Sequence, residues 1–216
     1  MVPDQGGKIS GTHQDLTDGA TWIKRLERPE RTSGLKVGEV ISCLQLKCGD
    51  VIADLGSGVG AFTLPFARAV APAGRVLAVD LWPDLLAHIE AKAAKENIGN
   101  IQLVDAQPDN PNLPKNAVDV AFFHDVFHNT NDRQEYLRIL AASVKPGGRI
   151  AIVEQEFDDP IAKKWDLPED RIKKEQVHQW MTNIQFRLIG DYDIFQGSNN
   201  PQGAGMPERW FVVYSR

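Results

Sequence analysis

Cysteine is scarce in this chain: 216 residues contain two, Cys43 and Cys48. Two cysteines five apart supply neither a disulfide framework nor a four-ligand zinc site. They read as small apolar residues in a helix and the loop after it, with a redox or metalloid-binding pair as the alternative. Long hydrophobic runs are missing as well. Nothing approaches the ~18 apolar residues of a membrane span, and no signal-peptide core is visible. The expectation is a protein without a membrane span, cytoplasmic by default, although Met1 can stand where a longer native N-terminus was. Nor is there an excess of positive charge: 24 Lys and Arg face 29 Asp and Glu, a net charge of −5. A protein held to phosphates by charge is normally basic, so nucleic acid is not an expected partner. Internal repeats, low-complexity tracts and a linker that would split the chain are all absent.

What is present fits one globular unit. A chain of this length buries roughly 70% of its unfolded surface, enough for a core without staples, and 42% of its residues are hydrophobic. Residues 1–35 read as a flexible or helical N-terminal arm, with residues 1–20 polar and glycine-containing. Residues 36–216 read as the folded domain. The region Thr21 to Cys43 is charged and helical in character, with Arg25, Arg28 and Arg31 at intervals of three and Pro29 limiting any helix that crosses it.

From Asp50 onward two periods alternate. Short apolar strands are expected at Val51–Ala53, Arg75–Val79, Ile101–Val104, Val118–Phe123 and Arg149–Val153. Helical segments fall between them at Ala61–Val70, Asp84–Glu96 and Asp132–Ser143, the last capped by Asp132 or Asn131. Lys145–Gly148 (KPGG) reads as a turn, and Pro168–Gln185 as mostly helical. Strands alternating with helices demand a parallel sheet covered on both faces. The last two strands, Arg187–Ile194 and Arg209–Tyr214, have no helix between them and should pair antiparallel.

The segment Asp54-Leu55-Gly56-Ser57-Gly58-Val59-Gly60 follows the first strand and opens a helix. Glycine is needed where backbone turns sharply and lies against a ligand. Twenty residues past Gly60, at the next strand end, Asp80 can accept both ribose hydroxyls of an adenosine. Two cofactor classes fit this much, dinucleotides and S-adenosylmethionine. The glycines run GxGxG rather than GxGxxG, and no pyrophosphate need sit on the helix start. Asp54, two residues before the first glycine, would repel a pyrophosphate but suits a cationic amino-acid end. At the third strand end Asp105 can accept from an adenine amino group, with the neighbouring Ala106 N–H donating to the ring. Leu81 and Trp82 are placed to cover the adenine, although Trp82 reads equally well as a packing residue.

The runs VIADLGSGVG, VLAVD, VDVAFFHDVFHN and LAASVKPGGRIAIVE resemble the class I S-adenosylmethionine-dependent methyltransferases. Within them the likeness is to the small-molecule, type 11 group that includes the quinone-ring methyltransferases. It covers about four-fifths of the chain, from Val37 onward. The resemblance implies a Rossmann-like doubly wound α/β sheet of order 3-2-1-4-5-7-6, strand 7 antiparallel. It also implies that Phe123 and His124, at the fourth strand end, lie beside the reactive methyl.

Methyl transfer from a sulfonium needs a positioned nucleophile, a dry site and, for some acceptors, a base. His124, Asp125 and His128 are the candidate catalytic residues. Both histidines have near-neutral intrinsic pKa values, and His128 is the favoured base; the alternative is that it hydrogen-bonds loop backbone. Glu154 and Glu156 with Asp125 and His124 are weighed as ligands for a hard cation, but the spacing does not support one and no metal is expected. Arg25, Arg28 and Arg31 suit an anionic substrate less well than a solvated helix face. Trp22 and Trp165 either line the acceptor pocket or pack. Without long insertions, the pocket must be closed by residues 1–35 or by the loops at 155–168 and 197–206. The expected partner is therefore a small-molecule methyl acceptor, and the expected state a monomer or homodimer.

Overall fold

The computed structural model describes residues 19–165, 170–195 and 207–216. Residues 1–18 of the arm, residues 166–169 and residues 196–206, which include the whole loop at 197–206, lie outside them, as does the side chain of Trp165. Three short helices come first, α1 (Gly19–Leu26), α2 (Pro29–Ser33) and α3 (Val37–Leu44). Seven strands follow, β1 (Val51–Leu55), β2 (Arg75–Asp80), β3 (Ile101–Asp105), β4 (Val118–His124), β5 (Val144–Gln155), β6 (Arg187–Tyr192) and β7 (Arg209–Ser215). The remaining helices are α4 (Thr63–Val70), α5 (Pro83–Lys95), α6 (Arg133–Ser143), α7 (Ala162–Trp165) and α8 (Lys174–Asn183).

The strands make one sheet of order β3-β2-β1-β4-β5-β7-β6. β1 to β5 pair in parallel, and β7 runs antiparallel to both β5 and β6. This is the order that the resemblance implies, and the parallel and antiparallel pairings are those that the strand–helix alternation and the helix-free last pair imply. All five residues of β1 are buried, the mark of a central parallel strand covered on both faces.

Successive residues of a strand point to opposite faces, and β4 divides the core accordingly. Phe122 packs against Phe62 and Phe66 with α3 and α4 behind it, while Phe123 packs against Phe127 and Tyr136 with α6 and α8. Each such ring contributes roughly 1.5–3 kcal/mol relative to leaving it exposed. Leu86 and Ile89 close α5 over Ala78 of β2.

Three boundaries differ from the sequence reading. The KPGG turn is absorbed into β5, which runs twelve residues. Gly147 takes φ +74, and the pairing with β4 shifts register between Val118 and Val120, so an irregularity inside the strand replaces a turn. α8 begins at Lys174 rather than near Pro168, because Gln176 Oε1 accepts from the Lys173 N–H and caps the helix there. The helical Thr21–Cys43 region resolves into three helices: Pro29 opens α2, and Lys36 at φ 47 separates α2 from α3. The cap on α6 is as expected, Asp132 accepting from the Glu135 N–H. Cys43 and Cys48 are both free.

Candidate active site

Where the parallel strands end, β1 and β4 leave in different directions, and this is where ligands enter such sheets. A cavity of about 920 Å³ lies there. Its floor is the carboxyl ends of β1, β2 and β4 with the first residues past β3. Its roof is α1 and the turn into α2, through Trp22, Leu26, Arg28 and Arg31. α1 is held across α5 by Glu27, whose carboxylate lies 2.9 Å from His88 Nε2 and 3.2 Å from Lys92 Nζ.

At one end stands the glycine loop. Gly56, Gly58 and Gly60 all have positive φ, the conformation that a Cβ disfavours. Gly56 and Ser57 donate to the Val79 carbonyl, tying the loop to β2. Asp80 completes the tie: its carboxylate accepts from the Gly58 N–H at 2.8 Å and the Trp82 N–H at 3.1 Å. Burial raises its pKa, although those donors act against the shift. Asp54 is buried beneath the loop. Burial pushes its carboxyl up to about 7, partly offset by the Thr63 hydroxyl that donates to it.

At the other end β4 delivers His124 and Asp125. His124 is buried, its ring 4.8 Å from that of Phe62 and its Nδ1 3.5 Å from Asp125 Oδ2. Burial pulls its pKa down to about 3; Asp125 opposes that shift, and Arg209 and Arg31 add to it. Asp125 adopts φ +51 and meets Arg209 of β7, whose Nε lies 2.8 and 2.9 Å from its two oxygens. Burial alone would raise the Asp125 pKa, but Arg209, His124 and Arg31 hold it well below the usual carboxylate range. His128 belongs to a separate 3₁₀ turn, Phe127–Asn129. The two histidines therefore do not share one helical turn, yet both line the cavity. His128 Nδ1 lies 2.8 Å from Glu154 Oε2, and the carbonyl of His128 accepts from Arg133.

Of the residues singled out from sequence, Asp54, Gly56, Ser57, Gly58, Asp80, Leu81, Trp82, Ala106, Phe123, His124, Asp125 and His128 line this one cavity. Gly60 and Asp105 do not. A Cβ on Gly60 would meet Leu64 at 2.8 Å, so that glycine serves the packing of the loop against α4. At Asp105, Ala106 and its neighbours Gln107 and Pro108 face the cavity instead. Arg25, Arg28 and Arg31 all line the cavity, so the reading of them as a solvated helix face is corrected. Arg209 was not anticipated: it stands 84 positions from Asp125, and no local pattern announces it. The hard-cation alternative finds no support among the described residues, where no group of three or more His, Cys, Asp or Glu is arranged around a common point.

Residues 53–152 match the family model for the methyltransferase domain. The sheet order found here, β3-β2-β1-β4-β5-β7-β6, is the one that the resemblance to the class I S-adenosylmethionine-dependent methyltransferases implies. The chain resembles the ubiquinone/menaquinone biosynthesis C-methyltransferase of Pasteurella multocida, 30% identical over 59% of this chain and 48% of that protein. It resembles the enzyme of the same name from an Enterobacter species at 29% over 58% of this chain and 51% of that one. The chain thus spans about half the length of the curated relatives it matches. Among solved structures, a SAM-dependent methyltransferase from Aquifex aeolicus superposes with TM-score 0.76 at 22% identity, covering 92% of this chain and 98% of that one. The [4+2]-cyclase SpnF superposes at 0.69 and 14%, covering 85% and 80%. A cyclase on the same scaffold shows that the fold alone does not name a reaction.

The cavity suits S-adenosylmethionine. Ser57 Oγ, His124 Nε2 and Gln155 Oε1 are buried without a hydrogen-bond partner, and all three residues line it. Unpartnered buried polar atoms are costly, and a polar ligand relieves them. Asp54 offers a carboxylate poised to ionise beside a cationic group.

Proposed function

We propose that this protein transfers the methyl group of S-adenosylmethionine to a small-molecule acceptor. The observation that carries the reading is the single cavity, which runs from the glycine loop and Asp80 to His124, Asp125 and His128 under a roof of α1. Its volume, about 920 Å³, is near the upper end of the ~300–1,000 Å³ usual for small-molecule sites. That is room for a cofactor and a modest acceptor together. The relatives' C-methylation in ubiquinone/menaquinone biosynthesis also points to a small acceptor.

In this reading Asp80 accepts the ribose hydroxyls, and Leu81 and Trp82 with Ala106 enclose the adenine. Asp54, through its buried carboxylate, attracts the amino-acid end. The bound cofactor supplies a methyl made electrophilic by the sulfonium. Phe123 and His124 stand beside the place of transfer, and α1 excludes water from it. Where the acceptor must lose a proton, His128 takes it: Glu154 beside Nδ1 favours the protonated ring and fixes which nitrogen faces away. His124, kept neutral by burial, offers Nε2 as a hydrogen-bonding partner, and Asp125 orients that ring from behind. The test is formation of S-adenosylhomocysteine when the purified protein meets S-adenosylmethionine and a panel of small phenols, carboxylic acids, thiols and amines. Acceptor-dependent turnover is the expected result; tight cofactor binding with no turnover across the panel would favour a binding protein without catalysis.

A further inference from the structure

The chain carries a net charge of −5, yet four cations, Lys24, Arg25, Arg28 and Arg31, face one cavity. Asp54 and Asp80 lie at the glycine-loop end, where Asp80 is held by backbone N–H groups and Asp54 by Thr63. At the acceptor end, among the described residues, the lining carboxylate is Asp125, and Arg209 clamps it with Nε 2.8 and 2.9 Å from its oxygens and Nη2 at 2.8 Å. Arg31 is half-buried over the same carboxylate, with Arg209 and Arg25 near enough to repel it. Among the described residues no carboxylate comes within the 4 Å of an ion pair to Arg31. One guanidinium is therefore left in excess, partly withdrawn from water. Beside it, His124 Nε2 is buried and unpartnered. The wall around them is apolar, made by Trp22, Leu26, Leu35 and Phe62.

A cation withdrawn from water and crowded by like charges is stabilised by an anion brought into the cavity. We propose that the methyl acceptor of this site is a small molecule with an apolar body and an anionic group, a carboxylate or a phosphate, seated against Arg31. The inference rests on the methyltransferase reading and adds the chemical class of its acceptor. Arg31 is here a binding residue: it selects the acceptor and fixes its direction, with the apolar body laid along Phe62 and Leu35 toward the methyl. The Asp125–Arg209 pair leaves Arg31 to the ligand, because Arg209 already satisfies Asp125. Lys24 and Arg28 at the roof add long-range attraction for an anion on its way in.

The test uses the full chain saturated with S-adenosylhomocysteine and three probes of one shape: benzoate, phenyl phosphate and the neutral benzamide. Calorimetric titration should show at least one of the two anions binding 10-fold or more tightly than benzamide, the scale of about 10- to 150-fold set by a hydrogen bond to a charged group. The stronger of the two anions names the group. Arg31→Gln should abolish the advantage, Arg31→Lys should keep part of it, and Arg68→Gln, at an exposed pair with Glu96, should leave it intact. Unchanged S-adenosylhomocysteine affinity in Arg31→Gln confirms that the fold survives. Benzamide binding as well as both anions, no measurable binding of either anion, or an advantage that persists in Arg31→Gln would each overturn the proposal. Failure of the unmodified protein to bind S-adenosylhomocysteine would instead overturn the methyltransferase reading beneath it.

Discussion

Glu154 grips His128 twice: its Oε2 lies 2.8 Å from the ring Nδ1, and its Oε1 accepts from the His128 backbone N–H at 3.2 Å. Both groups are buried. The first contact orients the ring, and the second fixes the turn that carries it. If His128 is the base, Glu154→Gln, which keeps hydrogen bonding but removes the charge, should lower turnover less than His128→Ala does. His128→Ala should lower turnover about 10²- to 10⁴-fold with cofactor affinity unchanged and remove a limb of the pH–rate profile. A small rate loss with an unaltered profile would assign His128 to the loop alone.

Asp54 predicts a pH dependence of stability in the cofactor-free protein. Its carboxyl is raised from 3.8 to about 7 by burial. An acid raised in the fold binds its proton more tightly than in the unfolded chain. Its contribution is complete below about pH 4 and is lost as pH rises toward 7, at most on the order of 4 kcal/mol. Asp54→Asn should flatten that part of the stability curve, measured by urea unfolding from pH 4 to 8. A cationic ligand beside Asp54 favours its ionised form, so S-adenosylmethionine binding should release a proton at pH 6, seen as a buffer-dependent calorimetric enthalpy that Asp54→Asn removes.

The roof can be displaced without touching the site. A Cβ on Gly19 would sit 2.3 Å from the Asp84 Cβ, so Gly19→Ala must push α1 off α5. Stability should change little, because the ion pairs of Glu27 with His88 and Lys92 are partly exposed and each is worth less than ~1 kcal/mol. Turnover should fall and the KM for the acceptor rise, with S-adenosylhomocysteine affinity nearly retained, since the roof excludes water and orders the acceptor. Equal kinetics in Gly19→Ala would show that α1 does not close the site.

The sheet was legible in the sequence because each strand–helix alternation is a local pattern: Val51–Ala53 and Arg75–Val79 are short apolar runs, and the glycine loop marks the turn between β1 and α4. The cofactor end of the cavity was legible for the same reason, since Asp54, Gly56, Gly58 and Asp80 lie within thirty residues in the order a βαβ unit imposes. At the other end His124, Asp125 and His128 were legible but their partners were not, because those are assembled across the sheet. Arg209 reaches Asp125 only because β7 inserts beside β5, and Glu154 reaches His128 only because β5 lies beside β4. Arg31 was misjudged because its spacing with Arg25 and Arg28 describes one face of a helix. Pro29 breaks that helix, and the break turns all three side chains toward the cavity. At the end of edge strand β3 the sequence offered both Asp105 and Ala106, and the side-chain alternation sends Ala106 inward.

The central claim, that the cavity above β1 and β2 holds S-adenosylmethionine, is tested most directly by calorimetric titration of S-adenosylhomocysteine into the unmodified protein, Asp80→Ala and Gly58→Val. Asp80 joins the Gly58 and Trp82 N–H groups, so its loss removes the ribose acceptor and loosens the loop together. Gly58 sits at φ +54, and a Cβ there would crowd Leu26 at 3.2 Å, which strains a β-branched residue by ~1–3 kcal/mol. The account predicts binding to the unmodified protein, a loss of about 10- to 150-fold in Asp80→Ala, and no measurable binding in Gly58→Val with the circular dichroism of the fold retained. Undiminished affinity in both variants would contradict it and move the cofactor away from this loop.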